Sequence, residues 1–208
     1  RREGLPTQAP TSVIELFKLD DYLLPGGHVI DAKGNVEFNF DELFAADVPD
    51  HLQSSAIAQA FAINLVRPEK TTETALQVFI PALNIDATIV QGSDWEALKL
   101  GVGQVQNGAN PGDATGNVAL AAHNDVFGNL FADIKDLQVG DDIQVQTATE
   151  TYTYHVTGWE IVRPTDVRVL EDQGKPTVTL ISCYPLGVND RRYVIYADRE
   201  DVFRRQEG

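Results

Sequence analysis

The chain contains a single cysteine and no methionine in its 208 residues. One thiol excludes an internal disulfide, and with only four histidines the soft ligands are too few for a Cys/His zinc cluster. No stretch of apolar residues reaches the length needed to cross a bilayer. The start also lacks the basic opening and apolar centre of a secretory leader. Basic side chains are scarce, 16 Lys+Arg against 31 Asp+Glu, for a net charge of −15. Such a surface repels phosphate backbones, so nucleic acid is excluded as an expected partner. With no methionine even at position 1, the chain reads as a processed or trimmed form. Arg1-Arg2 suits a piece cut just outside a membrane segment, which would act as the anchor.

Hydrophobic content of 43% and charged content of 23% are ordinary for a globular protein, and the length suits one principal domain. Residues 1–12 are polar and proline-bearing, and are expected to pack loosely. Pro25-Gly26-Gly27 and Lys33-Gly34-Asn35 are turn signals, and Val29-Ile30 with Val36–Phe40 reads as a hairpin around the second. From Leu52 to Val66, Ile57, Phe61 and Leu65 recur at four-residue spacing, predicting an amphipathic helix that Arg67-Pro68 ends.

From Leu76 onward the texture changes. Short β-rich runs cover 76–80, 87–90, 118–122, 142–146, 152–162, 177–182 and 193–197, with Trp95–Leu100 and Leu130–Leu137 as helical turns. Strands at this spacing predict a mainly β fold, a closed barrel or a sandwich, preceded by an accessory region up to residue 70. Residues 71–200 form the expected core and 201–208 a tail. The glycines of Gly101-Val102-Gly103 lack the following helix and basic residue of a phosphate loop, so they carry no such reading.

Cys183 follows the run Thr177–Ser182 and precedes Tyr184-Pro185-Leu186-Gly187, the place where a strand end opens onto a loop. It is either a buried bystander or a nucleophile. Among the histidines, only His123 combines a strand end, after Val118–Ala122, with a polar turn, Asn124-Asp125. His28 and His51 sit in the accessory region, and His155 lies within an alternating strand. A thiolate attacking an acyl carbon creates an oxyanion that positioned donors stabilise, and arginine brings five permanently charged donors. Arg191 and Arg192 are both available, and adjacent strand residues face opposite ways, so only one can face Cys183.

Several ordered blocks resemble the sortases, cysteine transpeptidases of bacterial and some archaeal cell surfaces. They are Val78–Asp86 with its Ile-Pro step, Pro111-Gly112 with Gly116–His123, Leu137–Asp141, and Thr179-Leu180-Ile181-Ser182-Cys183. Ser182 stands where the family has threonine, and Ala122 where glycine is common. The resemblance implies a closed eight-stranded β-barrel with short helices, beside an N-terminal α/β accessory region. His123 and Cys183 match the family's catalytic pair, and the run from Cys183 to Arg192 registers the arginine at Arg192, with Arg191 as the alternative. Ala121, Thr179 and Ile181 fall at groove-lining positions. The implied reaction cleaves a Leu-Pro-x-Thr-Gly-like sorting peptide between Thr and Gly. It then passes the acyl group to an amine, such as a cell-wall peptide or a pilin lysine, with no metal or organic cofactor. With no Asp-Pro-aromatic lid, the resemblance favours a housekeeping or class D/E-like anchoring type over a pilin polymerase. The rival readings are another cysteine acyl-transfer enzyme and a surface module whose barrel is blocked by its N-terminal region.

Overall fold

In the hairpin expected around Lys33-Gly34-Asn35, β1 (His28–Ile30) pairs antiparallel with β2 (Val36–Phe38). The Asp31 carboxylate shapes the turn by accepting from the amides of Lys33 and Asn35, both at 2.8 Å. The computed structural model describes residues 19–60, 70–106 and 108–201. The alternation does not run on to Phe40 as strand. Asn39 accepts from the Asp41 amide and caps α1 (Phe40–Ala45), a local bond that favours helix entry over continued pairing. The expected amphipathic helix appears as α2 (Gln53–Ala60), with Ala56 and Ala60 buried. Phe61 and Leu65, like residues 1–12, lie outside the described residues.

The remaining strands are β3 (Gln77–Ile80), β4 (Ile85–Gln91), β5 (Val102–Gln104), β6 (Gly116–Ala121), β7 (Asp142–Gln146), β8 (Thr151–Val162), β9 (Pro176–Tyr184) and β10 (Arg191–Arg199). They close into a barrel in the order β10-β8-β7-β3-β4-β5-β6-β9. The β4/β5 and β6/β9 pairs are parallel and the others antiparallel. Alternate residues fill the interior: Val78 and Ile80 from β3, Ile143 and Val145 from β7, Tyr154 and Val156 from β8, Leu180 from β9 and Ile195 from β10. Each apolar side chain so buried contributes about 1.5–3 kcal/mol. Among the described residues no helix is long and apolar enough to cross a membrane.

β6 and β9 depart from alternation, because nearly every residue in them is buried. Their inner face, Val118, Leu120, Val178 and Leu180, belongs to the barrel core. Their outer face is covered too. Ala121 and Ile181 join Leu24, Leu98, Val162, Val169 and Val194 in a second cluster. Strands buried on both faces read as continuous apolar runs. The cover includes α3 (Trp95–Leu98), capped by Asp94, whose carboxylate accepts from the amides of Glu96 and Ala97. It also includes the segment 19–28 leading into β1.

Candidate active site

The ends of β6, β9 and β10 converge. In the β9/β10 ladder Cys183 stands opposite Arg192. The strand bearing His123 is held against β9 by Ala122 N donating to Ile181 O (3.2 Å) and by Ser182 Oγ donating to Ala122 O (3.0 Å). Asn124 Nδ2 donates to Cys183 O at 2.8 Å, tying the loop after His123 to the cysteine's own backbone. Here Ser182, with its hydroxyl, makes the cross-strand bond a threonine would make, and Ala122 fits without a glycine.

The three side chains are almost wholly withdrawn from solvent: Cys183 is 3% exposed, His123 2% and Arg192 0%. The cover is the N-terminal segment. Gly27 N donates to Cys183 Sγ at 3.3 Å, and Arg192 Nε donates to Pro25 O at 2.8 Å. The rest of the guanidinium donates to Asn189 O and Arg191 O and forms an ion pair with Glu42 of α1. His123 is enclosed by rings: His28 edge-on at 5.2 Å, Trp95 at 5.6 Å and Phe127 at 5.3 Å between centroids. His28 Nε2 lies 2.7 Å from Asp125, and Asn189 Nδ2 donates to the same carboxylate at 3.2 Å. Asn189 reaches it from a left-handed turn, φ 61°.

Burial dictates the electrostatics. It pushes the Cys183 thiol above its ordinary range, against the opposing pull of Arg192 and the Gly27 amide. It lowers His123 to about 4, with His28 adding to the depression. His28 is also lowered, burial outweighing the opposing pull of Asp125. The covered site therefore holds a neutral thiol and a neutral imidazole, and neither His123 nitrogen has a hydrogen-bond partner. The arrangement can do nucleophilic acyl chemistry only after water or a substrate replaces the cover.

A stability consequence follows. A histidine whose folded-state value lies below its unfolded value of 6.5 takes up its proton on unfolding. Its contribution is complete above pH 6.5 and disappears as pH falls towards 4. The window amounts to about 3 kcal/mol. Denaturant melts between pH 7 and pH 4 are expected to show that loss, and His123→Gln to remove most of it. An equal pH dependence in both proteins would contradict the assignment.

Of the residues singled out from sequence, His123, Cys183 and Arg192 are brought to one end of the barrel, while Arg191 is exposed. Ala121 and Ile181 lie on the outer face in contact with the cluster that holds Leu24. Thr179 is buried and donates to Asn117 Oδ1 at 2.8 Å. His155 sits in β8 with Nδ1 2.9 Å from Asp142, and His51 lies in the short 3-10 turn Asp50–Leu52. Sequence reasoning missed Pro25, Gly26, Gly27, His28, Glu42 and Asp125. The one available signal was the doublet of glycines after proline, and it read as an ordinary turn. Gly26 and Gly27 instead take φ of 98° and 79° in an extended strap laid against the cysteine.

A family profile described as a Sortase domain matches residues 78–200. The chain is 36% identical over 123 residues to Sortase A of Bacillus anthracis, covering 59% of this chain and 58% of that protein. It is 28% identical over 197 residues to Sortase D of Bacillus subtilis (strain 168), covering 90% of this chain and 98% of that protein. Among solved structures, Sortase A from Corynebacterium diphtheriae superposes with a TM-score of 0.58 at 27% identity, covering 64% of this chain and 61% of that one. Sortase C-1 from Streptococcus pneumoniae gives a TM-score of 0.61 at 24% identity, covering 68% and 78%, a likeness of fold.

Proposed function

This chain belongs to the sortase family, and from that membership we propose that it is a cysteine transpeptidase. It cleaves a Leu-Pro-x-Thr-Gly-like sorting peptide between Thr and Gly and joins the acyl product to an amine, anchoring proteins at the cell surface. The observation that carries this reading is the meeting of Cys183, His123 and Arg192 at the ends of β9, β6 and β10.

In this mechanism Cys183 Sγ attacks the threonine carbonyl carbon while its proton passes to His123. Arg192 donates to the oxyanion. The C–N bond breaks as His123 returns the proton to the departing glycine amine, leaving a thioester. An incoming amine then attacks the thioester, His123 takes its proton, and the new amide leaves with the thiol restored. Each step uses only this chain's side chains and the two substrates. A second reading, a barrel kept closed by its N-terminal segment, is favoured by the 3% exposure of Cys183.

A quenched Leu-Pro-x-Thr-Gly peptide library, offered with and without an amine, tests the proposal. The expected result is cleavage between Thr and Gly, a transient enzyme adduct with the mass of the acyl fragment, and a ligated product when amine is present. Hydrolysis at another bond, or turnover without an adduct on Cys183, would overturn it.

A further inference from the structure

We propose that the cavity on the barrel-mouth side of Cys183 receives the second substrate, a primary amine on an aliphatic stem such as a lysine side chain, and that Asn124 orients it. This rests on the transpeptidase reading, which requires an amine but leaves its kind open.

The cavity measures about 590 Å³, and its lining comes from the loop after His123, the end of β9, the loop beyond it and β10. The loop after His123 turns back at three left-handed residues, Phe127, Gly128 and Asn129. It closes with Phe131 N donating to His123 O at 3.0 Å. Phe131 and Ile134 are thereby brought to the barrel mouth, where they join the core cluster with Tyr193 and have Tyr184 packed beside them. Ala121 and Ile181 sit on the opposite face of the sheet, in the cluster that holds Leu24. The two faces meet at Cys183, which also lines the cavity. Transpeptidation needs such a division: the acyl group keeps its place on one side while the first amine leaves and the second enters on the other.

The lining chemistry selects the amine. Phe131, Ile134, Tyr184, Leu186 and Tyr193 supply apolar walls. Trp159 stacks on Tyr193 at 5.4 Å and, 57% exposed, carries the aromatic surface out to solvent. Asp125 and Asp133 line the cavity against one lysine, Lys135, which is itself paired with Asp136 at 3.3 Å. Carboxylates and ring faces attract an ammonium, and the walls bury its aliphatic stem. Inside, desolvation favours the neutral amine, the form that attacks. A lysine amine, ordinarily at about 10.4, needs this help, and an α-amine at about 7.7–8.0 does not. Asn124 is 5% exposed and lines the same cavity. Its Nδ2 is engaged with Cys183 O at 2.8 Å, but its Oδ1 has no partner, a rare state for a buried acceptor. An incoming amine satisfies it. The nitrogen donates one N–H to Asn124 Oδ1, gives its lone pair to the thioester carbon and loses its other proton to His123. The C–N bond forms, the C–S bond breaks, and His123 passes that proton to the Cys183 sulfur.

The acyl-enzyme partitions between water and amine, and that ratio does not depend on how fast the thioester forms. Ligated and hydrolysed products of a Leu-Pro-x-Thr-Gly peptide are counted by mass, with Nα-acetyl-lysinamide or triglycinamide as the acceptor. The proteins are wild type, Asn124→Ala and Ala132→Trp, scored where a native melting transition is kept; Ala132 is a half-buried wall position, so tryptophan there fills the cavity and leaves Asn124 in place. Wild type is expected to prefer the lysine amine at least tenfold at equal concentration. Each variant is expected to lower lysine ligation relative to hydrolysis at least tenfold. If Asn124 merely held the Cys183 backbone, hydrolysis and ligation would slow together and the ratio would stand. An unchanged ratio in either folded variant, or a preference for triglycinamide, overturns the proposal. Binding is read separately, from amide NMR shifts of peptide-free wild type titrated with Nα-acetyl-lysinamide. Shifts confined to the Asn124 side chain and residues 131–135, without ligated product from any peptide, would keep the cavity and sink the transpeptidase reading. Ligation to triglycinamide alone would sink the cavity and keep that reading, and neither shifts nor products would overturn both.

Discussion

Cys183→Ala is expected to reduce both peptide cleavage and ligation by on the order of 10⁴-fold or more, the scale seen when the nucleophile is removed from a covalent acyl-transfer site. No other thiol exists in the chain to substitute for it. The loss is attributable to chemistry because the folding cost is small. The side chain is buried against Gly26, Gly27 and Arg192, and trimming one sulfur there costs about 1 kcal/mol. Its backbone bond to Asn124 Nδ2 survives the substitution. The variant should therefore melt close to wild type and keep its closed strap, having lost only the Gly27 amide's acceptor. The check is a parallel measurement of melting temperature, peptide cleavage and adduct mass. Residual turnover within a hundredfold of wild type would show that another group carries the reaction.

How far the sequence discloses this site depends on which residues speak through local pattern. β7 was legible to the residue, because Ile143 and Val145 alternate with polar neighbours, and β8 nearly so. β9 and β10 extend beyond the predicted runs to Pro176–Tyr184 and Arg191–Arg199. Their ends are Tyr184, Arg191 and Arg199, which resemble loop residues until they are paired. β5 was invisible. It has three residues, Val102-Gly103-Gln104, directly after Gly101, and both glycines serve contact: a Cβ at Gly101 would lie 2.6 Å from Thr88 O and one at Gly103 2.5 Å from Gly92 O. Leu130–Leu137 shrank to one turn, Ile134–Asp136, since its apolar residues fill the barrel mouth instead of forming a helix face. His123 could be singled out because it ends an apolar run, and Cys183 because it ends a β-type run that opens onto a loop.

The strap could not be seen in this way. Nothing local connects Glu42 or His28 with residues 150 and 97 positions further on, Arg192 and Asp125. The uninterrupted apolar character of Val118–Ala122 did carry a trace of it, whereas Thr177–Ser182 carries hydroxyls at Thr177, Thr179 and Ser182. A half-exposed strand alternates, and one that does not must be covered on both faces. The run Val118–Ala122 therefore implied that something packs outside β6, without saying that the something was Leu24.

Arg192→Ala is expected to produce two losses at once, and their separation distinguishes its roles. Removing the guanidinium takes away the proposed oxyanion donor, which should lower kcat on the order of 10²–10³-fold. It also leaves Glu42 without its buried partner, and breaking a buried pair from one side costs about 3–5 kcal/mol. Glu42 belongs to the hairpin-and-helix segment rather than to the barrel, so that segment can return the carboxylate to water by lifting away. The energetic loss should then appear chiefly as opening of the strap: faster alkylation of Cys183, with the barrel's own unfolding less affected. Arg192→Lys restores a charge near Glu42 but not the fork that engages Pro25 O, Asn189 O and the carboxylate together. It should recover part of the closure and little of the turnover. Arg191→Ala is the control; the side chain is exposed, and stability should stay within about 0.5 kcal/mol of wild type. If Arg191→Ala instead abolished turnover while Arg192→Ala kept it within a few-fold, the working arginine would be one residue earlier. The loop from Tyr184 to Asp190 would then have to shift on opening to bring Arg191 over Cys183.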